Sequence, residues 1–326
     1  MKSKYKLLMY GMLGTALTAV VSSYITTNLL VKTALDRKQP KLAKITGRKI
    51  SGGCLNRYEE ICKKSADALK HQEHEVIEIN GIGNVPLVGH YFPCKNAKRF
   101  IIAFHGWRSS WNYDYGLISD FWQSNACSVL YTEQRGHYES GGDYIGFGLT
   151  ERYDCIEWCM RASELCNNTL PIYLAGLSMG ATTVLMAADL PLGAAVHGIM
   201  ADCGFTSPEA IWEHVIKNNH HLPYRLYGKL ANAICMRKIK MHPGAHSTID
   251  ALSKTNIPVL FIHGTDDKFV PVEMTYENFK NCSSEKRLFI VPGAEHAMSY
   301  CVDKEGYENA VLTFWENFDN YDRFSF

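Results

Sequence analysis

The sequence predicts an α/β protein: a mainly parallel, twisted sheet with helices on both faces. Three observations predict it. From residue 99 onward, short and nearly continuous apolar runs alternate with helix-compatible stretches, as expected for strands buried on both faces and linked by crossover helices. The runs end in glycines and polar residues, where loops at the carboxyl ends of such strands collect functional groups. One run, Ile172 to Ala175, leads into Gly176-Leu177-Ser178-Met179-Gly180 and then a small-residue stretch, Ala181 to Asp189. In that strand–turn–helix setting, Gly-x-Ser-x-Gly reads as a nucleophile elbow, a strained turn whose glycines let strand and helix pack closely.

The chain begins differently. Leu7 to Val31 is 25 residues without a charge, long enough to span a bilayer as a helix. Lys2, Lys4 and Lys6 precede it, and a cleaved signal would have a shorter apolar core and a small-residue cleavage site. Residues 1–39 are therefore expected to be an uncleaved single-pass anchor in the cell membrane, touching lipid. Lys32, Arg37, Lys38, Lys41, Lys44, Arg48 and Lys49 follow. They favour the cytoplasmic side by the positive-inside rule, or a seat on anionic lipid. A short basic tail ahead of an N-terminal apolar segment favours export, and the reading leans extracytoplasmic.

Residues 40–73 read as a linker and a first helix, Arg57 to Leu69. The main domain is expected over residues 74–326. It opens with an antiparallel hairpin, His74 to Asn80 and Pro86 to Phe92, around turn residues 81–84. Strands follow at Arg99 to Phe104, Ser128 to Tyr131, Ile172 to Ala175, Val196 to Met200, Pro258 to Ile262 and Leu288 to Val291. Helices are expected at Trp111 to Gln123, Glu151 to Cys166, Ala181 to Asp189 and Tyr307 to Phe318. The stretch 206–248 interrupts this rhythm and reads as a helical lid whose Trp212, Tyr224 and Tyr227 shape the pocket beneath.

Composition narrows the function. The net charge is +1, but residues 1–49 hold ten Lys/Arg against Asp36 alone, so the remainder carries 24 basic and 32 acidic residues. A mildly acidic domain argues against nucleic acid as a partner. The 11 cysteines are scattered without C-x-x-C spacing, so neither a disulfide framework nor a zinc site is expected. His214, His220 and His221 lack the accompanying Cys or carboxylate pattern of a metal site. No dinucleotide or P-loop glycine pattern accompanies the sheet, so no cofactor is expected.

The candidate chemistry sits at strand ends. Ser178 follows one strand, Asp266 and Asp267 another, and His296 the last. A serine hydroxyl is a poor nucleophile at neutral pH. A histidine must take its proton and return it to the leaving group, and a carboxylate on the other ring nitrogen fixes the tautomer. The oxyanion needs backbone N–H donors, here expected from Met179 after the serine and Trp107 in the loop His105-Gly106-Trp107. Asp266 is an alternative acid, or a turn cap. Asp202, His105 and His263 also stand at strand ends and are expected to be structural.

From about residue 75 the chain resembles the α/β-hydrolase superfamily, near membrane-anchored serine hydrolases of the serine aminopeptidase-like and BAAT-like group. The motifs are His105-Gly106-Trp107, Arg135-Gly136-His137, Gly176-Leu177-Ser178-Met179-Gly180, the run Ile262 to Pro271, and Gly293-Ala294-Glu295-His296. The family pattern H-G-x-x-D-x-x-V-P selects Asp267 over Asp266. Glu133 and Tyr138 depart from it, standing where relatives carry aspartate and glycine. The resemblance implies an acyl-enzyme hydrolase acting on small-molecule or peptide acyl substrates through ester, amide or thioester bonds. Peptidase, acyltransferase and silent membrane-tethered binding protein are the alternatives.

Overall fold

The computed structural model describes residues 20–40 and 55–320. Eight strands form one sheet: β1 Glu75–Gly81, β2 Val85–Phe92, β3 Arg99–Phe104, β4 Cys127–Thr132, β5 Ile172–Leu177, β6 Val196–Asp202, β7 Val259–Gly264 and β8 Lys286–Val291. Their spatial order is β1-β2-β4-β3-β5-β6-β7-β8. β1, β2 and β4 pair antiparallel, and every other neighbouring pair is parallel. The hairpin is a flank added to a parallel sheet, as its period-2 sequence predicts.

Alternation along the strands divides the core. Phe100, Ile102 and Phe104 face one cluster with Trp158, Val184 and Leu185. Ile101 and Ala103 face the other, with Trp111, Trp122, Phe314 and Trp315. Each fully buried large side chain contributes about 1.5–3 kcal/mol, and β3 is buried at five of its six positions. Helices Glu151–Leu165, Met179–Met186, Thr248–Leu252 and Val272–Asn281 cover the first face. Helices Leu55–His71, Trp111–Tyr115, Ser119–Ser124 and Lys304–Phe318 cover the second.

Two differences from expectation have physical causes. The helix expected over Trp111 to Gln123 is two short helices. A Cβ at Gly116, in the break, would stand 2.7 Å from the backbone of Ser65 and Ala66, so the first helix packs directly against it. The helix Val272–Asn281 lies where the sequence reading placed no element.

The insertion after β6 is helical: Pro208–His214, a π-helical turn Val215–Asn219, and Tyr224–Ile239. Ile211, Trp212, Ala231, Ile234 and Cys235 bury themselves in a third cluster with Met179 and Phe205. Residues 20–35 form a helix, and its Val31 and Leu35 join this same cluster. Among the described residues no helix is long and apolar enough to cross a membrane. Residues 7–19 of the expected anchor lie outside the described residues.

Candidate active site

The elbow is dictated by contact distances. A Cβ on Gly180 would lie 1.8 Å from Phe104 O, and one on Gly176 would lie 2.4 Å from Gly180 O. Only glycine permits β3, β5 and the following helix to meet so closely. Between them Ser178 takes φ 56° and ψ −115°, a sparsely populated conformation sustained by its surroundings. Its N–H donates to Asp202 O at 2.8 Å, which anchors the turn to β6.

Ser178 Oγ lies 2.9 Å from His296 Nε2. His296 Nδ1 lies 2.6 Å from Asp267 Oδ2. Asp267 Oδ1 accepts from Phe269 N and Val270 N, each at 2.9 Å. His263 Nε2 lies 3.0 Å from Asp267 Oδ2 and 2.9 Å from Val270 O. Burial alone would push the Asp267 carboxyl up. The facing imidazoles of His296 and His263 outweigh it and hold the carboxyl well below the usual range, so it stays ionised.

Three residues separated by up to 118 positions thus form one hydrogen-bonded line. Asp266 stands aside: its Oδ1 accepts from Thr265 Oγ1 at 2.8 Å, and its side chain is exposed. Asp202 is buried with Ser299 Oγ at 3.3 Å, and burial raises its carboxyl to about 6. His105 and His137 shape loops: His105 Nε2 accepts from Gln134 N at 3.2 Å, and His137 Nε2 from Arg108 N at 3.1 Å. Burial lowers both imidazoles, so they accept as neutral rings. His263 is the residue whose part the sequence reading missed. The signal available was its spacing of four from Asp267.

Trp107 N–H and Met179 N–H flank the serine and have no hydrogen-bond partner among the described residues. Gly106 N, one residue earlier, donates to Asp114 Oδ2 at 2.6 Å. The departures at Glu133 and Tyr138 fit without loss of the loop. Glu133 Oε2 accepts from Glu139 N at 2.7 Å and its Oε1 meets His90 Nε2 at 3.0 Å. Tyr138 takes the left-handed φ of 37° that glycine would supply.

A cavity of about 1190 Å³ opens at Ser178. Its aromatic wall is Trp107, Tyr113, Tyr115, Trp122, Tyr300 and Tyr307, while the lid contributes Asn218, Asn219 and His220. The lid aromatics expected to shape the pocket do not line it: Trp212 faces inward to the third cluster. Cys203, Asp267 and His296 bring potential ligand atoms within 4.8 Å of one another. They fit a metal poorly, since both His296 nitrogens already bond Ser178 and Asp267, and burial pushes the Cys203 thiol well up.

No family model matches the chain. The uncharacterised protein YqkD of Bacillus subtilis is 28% identical over 193 residues, 59% of this chain and 63% of that protein, so the match spans under two thirds of the relative. Among solved structures, the Pyrococcus furiosus esterase Pf2001 aligns with a TM-score of 0.61 at 21% identity, over 76% of this chain and 92% of that one. The α/β hydrolase GrgF from Penicillium gives 0.57 at 17% identity, over 77% and 100%. Acetyl xylan esterase 1 from Thermoanaerobacterium gives 0.53 at 14% identity, over 79% and 92%. Topology, elbow and these likenesses agree: the chain has the α/β-hydrolase fold.

Proposed function

We propose that the protein is a serine hydrolase that cleaves carboxylic esters through an acyl-enzyme on Ser178. The observation that carries this is the unbroken line from Ser178 Oγ through His296 to the ionised Asp267. Ser178 Oγ attacks the substrate carbonyl while His296 Nε2 takes its proton. Asp267 holds the Nδ1–H tautomer and stabilises the imidazolium. The oxyanion points to Trp107 N–H and Met179 N–H, and His296 returns the proton to the leaving alcohol. Water, activated by the same imidazole, then releases the acid. His296 is 23% exposed, which leaves water a path to it. Amides and thioesters follow the same steps, and an acceptor alcohol or amine in place of water turns hydrolysis into acyl transfer.

The solved esterases of the same fold support the ester over the peptide reading. Within the proposal, the apolar run from Leu7 attaches the chain to lipid with the domain outside the cytoplasm. Alkaline extraction and protease protection of membranes test that part. The central test is labelling of the full chain by a fluorophosphonate probe, beside Ser178→Ala and His296→Ala. Labelling that requires both residues, with turnover of short-chain esters, is the expected result. A folded chain that does not label would instead be a binding protein on this fold.

A further inference from the structure

The helix over residues 20–35 ends against the loop that follows β3. Its last carbonyls have no further turn to bond them, and Arg108 takes them up. Arg108 Nε donates to Thr33 O at 2.9 Å, Nη2 to Thr33 O at 2.7 Å and to Asp36 O at 2.5 Å, and Nη1 to Arg37 O at 3.3 Å. A cation here also meets the negative end of the helix dipole. Beside it, Trp107 Nε1 donates to Ala34 O at 2.9 Å.

The segment is gripped on its other side as well. Ile145 N donates to Leu35 O at 2.7 Å and Arg37 N to Asp143 O at 2.9 Å. Lys238 Nζ, on the second lid helix, lies 2.6 Å from Asp36 Oδ1. Val31 and Leu35 share a buried cluster with Met179, and Thr33 and Gln39 line the cavity. Residues 27–37 therefore touch both residues that carry the candidate oxyanion donors.

Arg108 is itself in the left-handed region, at φ 53°. A long side chain persists there only when its surroundings over-determine it. The peptide that carries Trp107 N–H is held at one end by Asp114 on Gly106 N, and at the other by these bonds to residues 33–37. Burial draws the guanidinium down to about 10, so it remains a cation at neutral pH.

We infer that Arg108 is a positioning residue, and that its clamp on residues 33–37 makes the N-terminal segment a working part of the oxyanion hole. The inference rests on the hydrolase reading above. It predicts that loosening the clamp costs turnover, while the serine, histidine and aspartate stay aligned.

The test is steady-state hydrolysis of p-nitrophenyl butyrate by the full chain, with Arg108→Ala, Arg108→Lys, Leu35→Asp and the double variant Leu35→Asp/Arg108→Ala. Removing an oxyanion donor outright costs roughly 10²–10³ in turnover. A donor left in place but misaimed is expected to cost about tenfold to a hundredfold in kcat, with KM within about threefold of wild type. Arg108→Lys, which keeps the charge but not the fork, falls between. The double variant loses no more than the worse single one, because both break the same contact. An unchanged kcat, a rise in KM alone, or losses that multiply would overturn the inference while leaving the hydrolase reading intact. A wild type that neither turns over nor labels overturns both. If Arg108→Ala does not fold, Arg108→Lys with Leu35→Asp decides by the same criteria.

Discussion

Asp267 Oδ2 is shared by two imidazoles, His296 Nδ1 at 2.6 Å and His263 Nε2 at 3.0 Å. His263 Nδ1 is in turn 2.7 Å from Thr275 Oγ1, which fixes the ring. A second donor on the carboxylate keeps it ionised and aimed. His263→Ala removes a hydrogen bond to a charged group, a contribution of about 1.5–3 kcal/mol. The expected result is a kcat/KM lower by about ten- to a hundredfold, with the acid limb of the pH–rate profile moved up. A shift in KM alone would argue against this role.

Asp267→Asn leaves the hydrogen-bonding shape but admits the wrong histidine tautomer. A drop in kcat of about ten-thousand-fold is expected. Asp266→Asn, by contrast, is expected to stay within about threefold of wild type, since Asp266 bonds only locally. Because the folded chain holds the Asp267 carboxyl below its ordinary value, this group stabilises the fold at neutral pH. That contribution is lost as pH falls below the unfolded value, about 4. Thermal melts between pH 3 and 7 should show a shallower acid loss in Asp267→Asn than in wild type.

Asp202 has the opposite sign. Burial raises it from 3.8 to about 6. Above pH 6 the ionised group disfavours the fold, by about 1–3 kcal/mol. As pH falls through 6 the folded chain takes up the proton first, and the cost fades toward pH 4. Asp202→Asn should therefore melt several degrees higher than wild type at pH 7.5, with the gap closing toward pH 4.5. It should also keep most of its turnover, which separates it from Asp267.

The elbow offers a stability test without catalysis. Ser178→Gly relieves the strained φ of 56° and is expected to stabilise the fold by about 1 kcal/mol while abolishing labelling. Gly180→Ala should do the reverse. Its Cβ would meet Phe104 O at 1.8 Å, and a loss of at least about 3 kcal/mol is expected. Melting curves of the two variants check both signs.

The strands and the three central site residues were legible because the signals are local: apolar runs, the glycine pair of the elbow, and loops at strand ends. Asp267 needed the spacing around Val270 and Pro271 to be preferred over Asp266. Other features depend on what lies across the fold. The break at Gly116 exists because Ser65 and Ala66 press on it, and nothing near Gly116 in sequence announces that. Val31 and Leu35 read equally well as lipid-facing or protein-facing, since an apolar side chain carries no mark of its partner. Trp212 reads as pocket lining by its place in the insertion, but the lid packs it inward.

The clamp around residues 33–37 also orders events during synthesis. Its partners lie at Trp107 and Arg108, at Asp143 and Ile145, and at Lys238, one hundred to two hundred positions downstream. Contacts of such separation form late, because long loops must close first. The ribosome emits the segment early, but its seat is complete only after Lys238 has emerged. Until then a nascent chain has no finished oxyanion wall, and the nucleophile remains idle while the polypeptide is still being made.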